Sequence, residues 1–274
     1  MIDAHHHFWN YNSEDFAWID ESMTAIRRSF LPPDLSPILK ENGIEGSVLI
    51  QVNRDEKENE IFLQFANQND FVKGTVGWLD LTAPNLEEKL EKYANEPKLK
   101  GFREIAQGNS DKYFPSPSFR KGVELLGKKG FTYDILVFER DLKNTLDFVE
   151  SLPNNKFVID HIAKPDIKNG SIGRWSNYMK ALAQYPNVSV KISGMTTEAD
   201  WNNWKKEGFY IYLDHLMGAF GVNRLMYGSD WPVCLLAAKY AEQLAILKSY
   251  TKNLSTEEQR KIFHKNAVDF YGLD

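Results

Sequence analysis

The sequence predicts a single α/β domain, a (β/α)8 barrel that spans residues 1–274. Three observations predict it: β-rich runs alternate with helical patterns, eight such runs are present, and their spacing leaves room for a helix between consecutive strands. The same alternation would fit an open doubly wound sheet. No GxGxxG or GxxxxGK(S/T) loop follows a strand, which weakens the nucleotide-binding form of that alternative.

Short runs rich in β-branched and aromatic residues mark the expected strands. They are residues 1–8 (MIDAHHHF), 46–52 (GSVLIQV), 71–81 (FVKGTVGWLDL), 99–106 (LKGFREIA), 131–138 (FTYDILVF), 156–163 (KFVIDHIA), 188–194 (VSVKISG) and 224–230 (RLMYGSD). The carboxyl ends of barrel strands meet at one mouth, so functional residues are expected where these runs end.

Amphipathic patterns between the strands predict the helices. The first, DLSPILKENG, begins with Asp34 as an N-cap and closes at Gly43. The second, KENEIFLQFANQN, carries an apolar stripe made of Ile61, Phe62, Phe65 and Ala66. Later patterns follow each strand, and a last helix begins at Ser255, where Glu258 completes a capping box.

Composition limits the classes of partner. The net charge is −5, hydrophobic residues make up 42% and charged residues 26%, so we expect a small-molecule ligand and neither nucleic acid nor membrane. The single cysteine, Cys234, excludes an intrachain disulfide, and no signal-peptide pattern opens the sequence. We expect a cytoplasmic protein, and a homo-oligomer is left open.

A long irregular segment, residues 8–33, follows the first strand and is rich in Trp, Phe, Asp and Arg. In a barrel such a segment would lie over the mouth. It is therefore a candidate lid or substrate-recognition loop.

The first expected strand ends in three histidines, His5, His6 and His7. Side chains alternate along a strand, so His5 and His7 should point the same way and His6 the opposite way. A purification-tag remnant is the competing explanation, but the native-looking residues on both sides of the cluster argue against it. A His-x-His pair can place two imidazoles on one cation or one substrate oxygen.

Two more candidates follow other strands. His161 ends the sixth strand and Asp230 ends the eighth. A structural histidine and a helix N-cap are the alternatives for these two residues. Together with His5 and His7, they form a set that suits one zinc or similar divalent ion, or a metal-free site that works through hydrogen bonds.

The motifs DAHHHFW, VGWLDL, FVIDHIAKP, VKISGM and YGSDWPVC resemble the amidohydrolase superfamily, and more narrowly its sugar-lactone and 2-pyrone-4,6-dicarboxylate lactonases of the L-fuconolactonase type. The likeness covers nearly the whole chain. It implies a distorted (β/α)8 barrel that hydrolyses a cyclic ester.

The resemblance also implies residue roles. Asp230 matches the general base, His5 and His7 match the first-strand pair, and His161 matches the histidine that faces the carbonyl or a metal. Further residues match positions that bind substrate or lie near the pocket, namely Arg103, Lys164, Gln51, Trp78, Trp231 and Arg28. One departure is Glu104, where the family often has histidine; a carboxylate there could alter substrate choice or reach a metal. No carboxylated-lysine position is found, so a binuclear centre is not expected.

These residues predict a reaction in which Asp230 activates water, the histidines stabilise the oxyanion, and Arg103 and Lys164 hold substrate oxygens. A metal-dependent decarboxylase or amide hydrolase of the same superfamily is the alternative enzyme. A barrel that binds a sugar acid without turnover is the non-catalytic alternative.

Overall fold

Eight parallel strands follow one another around the computed structural model in chain order, and the model describes residues 1–274. The strands are β1 (Ile2–His6), β2 (Gly46–Ile50), β3 (Val72–Gly77), β4 (Leu99–Ile105), β5 (Thr132–Leu136), β6 (Phe157–Ile159), β7 (Val188–Ile192) and β8 (Leu225–Tyr227). Each falls within the run that predicts it. The predicted barrel is confirmed, and the open doubly wound sheet is excluded because β8 returns to β1.

The barrel closes irregularly between β8 and β1. Asp230 N–H donates to the His5 carbonyl at 2.8 Å, and His7 N–H donates to the Trp231 carbonyl at 2.7 Å. These bonds lie beyond the regular part of β8, so the closure itself places Asp230 beside the histidine run.

Helices surround the barrel. They are α1 (Pro32–Asn42), α2 (Lys57–Gln68), α3 (Leu86–Lys92), α4 (Ser110–Tyr113), α5 (Pro117–Lys128), α6 (Leu142–Glu150), α7 (Gly173–Leu182), α8 (Glu207–Phe220), α9 (Tyr240–Thr251), α10 (Thr256–Arg260) and α11 (Asn266–Tyr271). Short 3-10 turns cover Glu21–Ile26, Glu139–Asp141 and Val233–Leu236, and a π-helical turn, Lys261–Lys265, joins α10 to α11. No helix is both long enough and apolar enough to span a bilayer.

Two local predictions need correction. Helix α1 begins two residues before Asp34, because Pro32 and Pro33 open its first turn. The Asp34 carboxylate instead accepts the Leu31 N–H at 2.9 Å from inside that turn. On α2, Ile61 is exposed, and Leu63 takes its place in the buried face.

The capping box at Ser255 and Glu258 is present as predicted. Ser255 N–H donates to Glu258 Oε2 at 2.8 Å, and Glu258 N–H donates to Ser255 Oγ at 3.3 Å. The helical path that begins there continues through the π-helical turn into α11, so it ends against the barrel rather than in solvent.

The apolar core has two layers. The larger layer lies between the strands and the surrounding helices. The smaller one fills the amino end of the barrel, where Tyr271 and Leu273 pack against strand residues such as Val48 and Val158. The C-terminal segment therefore closes the amino end, and the carboxyl end is left for the site.

Candidate active site

A cavity of about 230 Å³ opens at the carboxyl end of the barrel. Its polar lining consists of His7, Arg103, Gln107, His161, Lys164 and Asp230. Trp9 and Trp18, from the segment of residues 8–33, form part of its apolar wall. That segment therefore lies over the mouth, where the sequence places a lid or recognition loop.

The four predicted catalytic residues converge at the bottom of this cavity. His5 Nε2 lies 3.1 Å from His7 Nε2, and Asp230 Oδ1 lies 3.3 Å from His7 Nε2. The same oxygen is 3.8 Å from His5 Nε2 and 3.8 Å from His161 Nε2. His6 points away and contacts Ser47 Oγ at 2.9 Å, so the alternation predicted for the histidine run is present.

Hydrogen bonds outside the cluster orient two of the imidazoles. His7 Nδ1 lies 2.8 Å from the Ile50 carbonyl, which can only accept, so His7 carries a hydrogen on Nδ1, and in its neutral form it has a lone pair on Nε2. His161 Nδ1 lies 2.9 Å from Ser193 Oγ, which can donate or accept. His161 can therefore present either a lone pair or an N–H to the cavity.

His161 does not sit on a strand, contrary to the prediction that extends the sixth strand to residue 163. Strand β6 ends at Ile159, and His161, Ile162, Ala163 and Lys164 all have positive φ, between 46° and 61°. Left-handed backbone is unfavourable for residues with a Cβ, so the surrounding contacts must hold this turn. One such contact is the Trp175 Nε1–H, which donates to the Ile162 carbonyl at 2.7 Å.

Burial and neighbouring charge set the protonation of the cluster. Burial would raise the pKa of Asp230, but its contacts with His161 and His7 outweigh burial and hold that pKa below its ordinary value. Burial lowers the pKa of His161 well below the usual histidine range, and the Asp230 charge opposes this only in part. The cluster therefore holds the Asp230 carboxylate beside neutral imidazoles of His5 and His161 at neutral pH.

Arg103 is fixed by Gln51 and Asp160. Its Nε donates to Gln51 Oε1 at 2.8 Å, its Nη2 donates to the Gln51 carbonyl, and its Nη1 donates to Asp160 Oδ2 at 2.9 Å. Gln51 itself does not line the cavity. Its place in the site is that of a support for the guanidinium.

Glu104 is held away from the histidine cluster. Its Oε1 pairs with Arg54 Nε, and its Oε2 accepts the Trp78 Nε1–H at 2.9 Å. Neither Glu104 nor Trp78 lines the cavity. Both carboxylate oxygens have partners, which leaves Glu104 no free oxygen toward a metal.

Trp231 and Arg28 also lie outside the cavity lining. Trp231 is fully buried and packs edge-on against Phe30 with 5.2 Å between ring centroids. Arg28 is exposed, pairs with Asp34 at 3.2 Å and covers the Phe30 ring. Both side chains contact Phe30 in the segment of residues 8–33, and their roles toward substrate stay predictions.

Sequence reasoning missed a buried charged layer beneath the cluster. Lys191, Asp134 and Asp160 are fully buried, and Lys191 Nζ lies 2.6 Å from Asp134 Oδ2 and 2.9 Å from Asp160 Oδ1. The available signal was a charged residue within an apolar strand, as in VSVKI and TYDIL. Such residues are rarely buried without a partner.

The donor set fits a divalent metal ion. Four tetrahedral ligands of zinc lie roughly 3.3–3.4 Å apart when each bond is 2.0–2.1 Å. The four pairs that join Asp230 to each histidine and His5 to His7 are 3.1–3.8 Å apart. His7 Nε2 and Asp230 Oδ1 face one another at 3.3 Å, an arrangement in which both atoms could bind one cation. His5, His161 and Asp230 meet the spacing of a metal site, and His7 Nε2 is within reach of Asp230.

The model of the amidohydrolase family matches residues 2–273. The chain is 34% identical to L-fucono-1,5-lactonase of Burkholderia multivorans over 284 residues, which cover 99% of this chain and 96% of that relative. It is 33% identical to L-fucono-1,5-lactonase of Burkholderia ambifaria, with 100% and 96% covered. A crystal structure of an amidohydrolase from Burkholderia multivorans with bound zinc superposes with a TM-score of 0.96 at 34% identity, covering 100% of this chain and 99% of that one.

Proposed function

We propose, from the premise that the chain belongs to the amidohydrolase family, that it is a hydrolase that opens a lactone. The substrate class we propose is a sugar aldonolactone such as L-fuconolactone, which is the type of compound named for the two Burkholderia relatives. The product is the corresponding open-chain hydroxy acid.

One observation carries this proposal. A buried carboxylate, Asp230, meets three imidazoles at the bottom of a cavity whose wall also carries Arg103 and Lys164. A base beside a water-sized position and cations that bind oxygen are what hydrolysis of an oxygen-rich ester requires. The alternative of a binder without turnover does not account for a base in this position.

In the proposed reaction, Asp230 removes a proton from a water molecule as the water oxygen attacks the lactone carbonyl carbon. The carbonyl π-electrons move to the oxygen, which becomes an oxyanion. When the carbonyl re-forms, the bond from its carbon to the ring oxygen breaks. The proton held by Asp230 passes to that ring oxygen and gives a hydroxyl group.

The hydrogen bonds of the histidines restrict their roles in this reaction. Neutral His7 has its lone pair on Nε2, so in that form His7 can accept a hydrogen bond from the attacking water but cannot donate one to the oxyanion. His161 can donate from Nε2 when Ser193 donates to its Nδ1. We therefore assign stabilisation of the oxyanion to His161, with Arg103 as the neighbouring cation.

The donor set also admits a metal. Zinc held by three of the four donors, which are His5, His7, His161 and Asp230, would supply a Lewis acid with one coordination position open. With or without metal, Arg103 and Lys164 retain the task of binding hydroxyl or carboxylate oxygens of the substrate, because their positions depend on other residues. Arg103 is held by Gln51, and Lys164 Nζ lies 3.9 Å from Glu198.

The cavity favours a small substrate. Its volume of about 230 Å³ lies below the roughly 300–1,000 Å³ of sites for drug-sized ligands. A single lactone ring with its hydroxyl groups is compatible with that space, whereas a longer carbohydrate would have to extend past Trp9 and Trp18.

A lactone panel tests the proposal. Acid release in weak buffer is followed for L-fucono-, D-arabinono- and L-rhamnonolactone, with and without chelator and with added zinc. We expect turnover of at least one lactone, and Asp230→Asn should abolish it without loss of fold. The matched control is Asp70→Asn, an exposed aspartate outside the cavity, which should retain wild-type rates.

Two outcomes would contradict the proposal. Wild-type turnover by Asp230→Asn would remove Asp230 as the base. If no lactone of the panel is hydrolysed and an aromatic carboxylic acid or an amide is turned over, the result would favour the decarboxylase or the amide hydrolase.

We propose the cytoplasm as the compartment, since the one cysteine of the chain, Cys234, is buried and unpaired. With a net charge of −5, no nucleic-acid partner is expected. Fractionation of cells that express the tagged protein tests the location.

A further inference from the structure

We propose that Lys191 and Asp160 compete for Nδ1 of His5, and that this competition sets how tightly the cluster binds a divalent metal ion. Lys191 favours the tautomer of His5 that cannot bind metal, and Asp160 favours the one that can. Lys191 is thus a positioning residue that acts through His5.

Lys191 is the fourth of the five residues of β7 and is fully buried, with three acceptors around its ammonium group. Its Nζ is 2.6 Å from Asp134 Oδ2, 2.9 Å from Asp160 Oδ1 and 3.2 Å from His5 Nδ1. An ammonium group has donors only. The contact with His5 is therefore a hydrogen bond only if His5 Nδ1 carries a lone pair.

The neighbouring histidine requires the same tautomer. His7 Nδ1 donates to the Ile50 carbonyl, which leaves a lone pair on His7 Nε2. His5 Nε2 lies 3.1 Å from that nitrogen, so with a neutral His7 the hydrogen between the two nitrogens belongs to His5. Arg103 Nη1, at 3.5 Å from His5 Nε2, is the one donor that favours the opposite tautomer. One chain of bonds then runs from Lys191 through His5 and His7 to Ile50, and every donor in it has an acceptor.

A metal ion would need the other tautomer, because a nitrogen that carries hydrogen cannot be a ligand. His5 would then carry its hydrogen on Nδ1, which lies 3.3 Å from Asp160 Oδ1. That oxygen also lies 2.9 Å from Lys191 Nζ, but a carboxylate oxygen can accept more than one hydrogen bond. It is therefore ready to accept from His5 in the way that carboxylates orient metal-binding histidines.

The change of tautomer moves one hydrogen between two nitrogens and leaves the number of protons unaltered. Its cost falls on Lys191, which loses His5 as an acceptor while remaining fully buried. By the usual cost of leaving a buried donor without a partner, we expect Lys191 to weaken zinc binding by about ten- to a hundredfold.

The first test measures zinc affinity of the metal-free protein by competition with a chromophoric chelator. Lys191→Met alone leaves two buried carboxylates with one cation fewer, so the main variant is Lys191→Met with Asp134→Asn. The amide oxygen that Asp134→Asn introduces can still accept from Tyr271, whose hydroxyl lies 2.7 Å from Asp134 Oδ2. Asp134→Asn alone is the matched control, and circular dichroism checks folding of each protein.

We expect the double variant to bind zinc about ten- to a hundredfold more tightly than the control, and Asp160→Asn to bind it more weakly than wild type. Equal or weaker zinc binding by a folded double variant overturns the proposal. So does the absence of zinc binding in both wild type and variants.

A second measurement uses the wild-type protein and needs no variant to fold. Long-range ¹H–¹⁵N correlation spectra of protein labelled with ¹⁵N-histidine distinguish the nitrogen that carries hydrogen. We expect metal-free His5 to be protonated on Nε2 and zinc to move that hydrogen to Nδ1. Protonation on Nδ1 before zinc is added overturns the proposal. Neither measurement uses lactone turnover. A negative result in the lactone panel therefore does not decide whether Lys191 and Asp160 compete for His5.

Discussion

Gly194 lies directly against the imidazole of His161: a Cβ built on Gly194 would stand 2.9 Å from Cβ, Cγ and Nδ1 of that histidine. Gly194 also has a φ of +63°, which a residue with a Cβ adopts at a cost. The backbone after β7 therefore forms one wall of the space that the imidazole occupies. Gly228 lies against His5 in the same way, because a Cβ built on Gly228 would be 2.8 Å from His5 Cβ.

Gly194→Ala should displace His161 and reduce lactone turnover by about a hundredfold, since a shift of about 1 Å in a catalytic group has an effect of that size. The strained φ should also lower the free energy of unfolding by about 1–3 kcal/mol. Steady-state kinetics and urea unfolding measure the two effects. Gly208→Ala is the control, because a Cβ there meets nothing within 4 Å. Full activity of Gly194→Ala would show that the position of His161 is not critical.

Ala163→Gly tests the left-handed turn that carries His161. Glycine adopts positive φ freely, so the substitution should recover about 1–2 kcal/mol of strain, which offsets the loss of a buried methyl group and the greater freedom of the unfolded chain. We expect a free energy of unfolding close to that of wild type. The comparison is Ala183→Gly, since Ala183 is also buried but has ordinary helical φ at the end of α7.

Ala183→Gly should lose about 1–2 kcal/mol, because no strain is relieved there. Urea unfolding of both variants gives the difference. Equal losses at the two positions would mean that the turn at Ala163 is not strained.

The sequence pattern could predict the barrel and most of the catalytic set because both depend on periodicity. Alternation along β1 is enough to pair His5 with His7, and the ends of parallel strands meet at one mouth. The left-handed turn at His161 was not predictable, because none of the residues from His161 to Lys164 is glycine. Tertiary contacts, such as the hydrogen bond from Trp175, impose that conformation on a segment whose composition predicts a strand.

The charged layer under the site could not be predicted for a different reason. Asp134 and Lys191 lie on β5 and β7, and Asp160 directly follows β6, so their contacts depend on the register between these three strands. Register is set by packing around the whole barrel. The sequence shows the motifs that contain these residues, but the local pattern does not predict which of their side chains contact one another inside the barrel.

Trp18 should contribute to substrate binding rather than to the chemical step. Its indole lies in the cavity wall, remains 43% exposed and contacts the edge of Trp9, with 6.0 Å between ring centroids. Trp18→Ala should raise KM about two- to tenfold by the usual strength of a ring contact, with little change in kcat. Trp18→Phe keeps a ring and should remain near wild type. A fall in kcat with KM unchanged would instead show that Trp18 contributes to the chemical step.

Glu58 should make stability depend on pH. Its carboxylate accepts the N–H groups of Val52 at 2.7 Å and Asn53 at 3.2 Å. Burial nevertheless raises the pKa of Glu58 from 4.5 to about 7. Between these values the folded chain holds a proton that the unfolded chain has released, so this contribution to the free energy of unfolding is present below pH 4.5 and is lost as pH rises to about 7.

The loss should amount to about 3 kcal/mol, given a pKa rise from 4.5 to about 7 and the 1.36 kcal/mol that corresponds to one pKa unit. Glu58→Gln cannot ionise, so the stability of wild type relative to this variant should decrease from pH 4.5 to pH 8. Urea unfolding across that range measures the difference. The control is Glu88→Gln, at an exposed position on α3, whose free energy of unfolding should change with pH in the same way as that of wild type. A difference between wild type and Glu58→Gln that stays constant with pH would show that Glu58 ionises at its ordinary pKa in the folded protein.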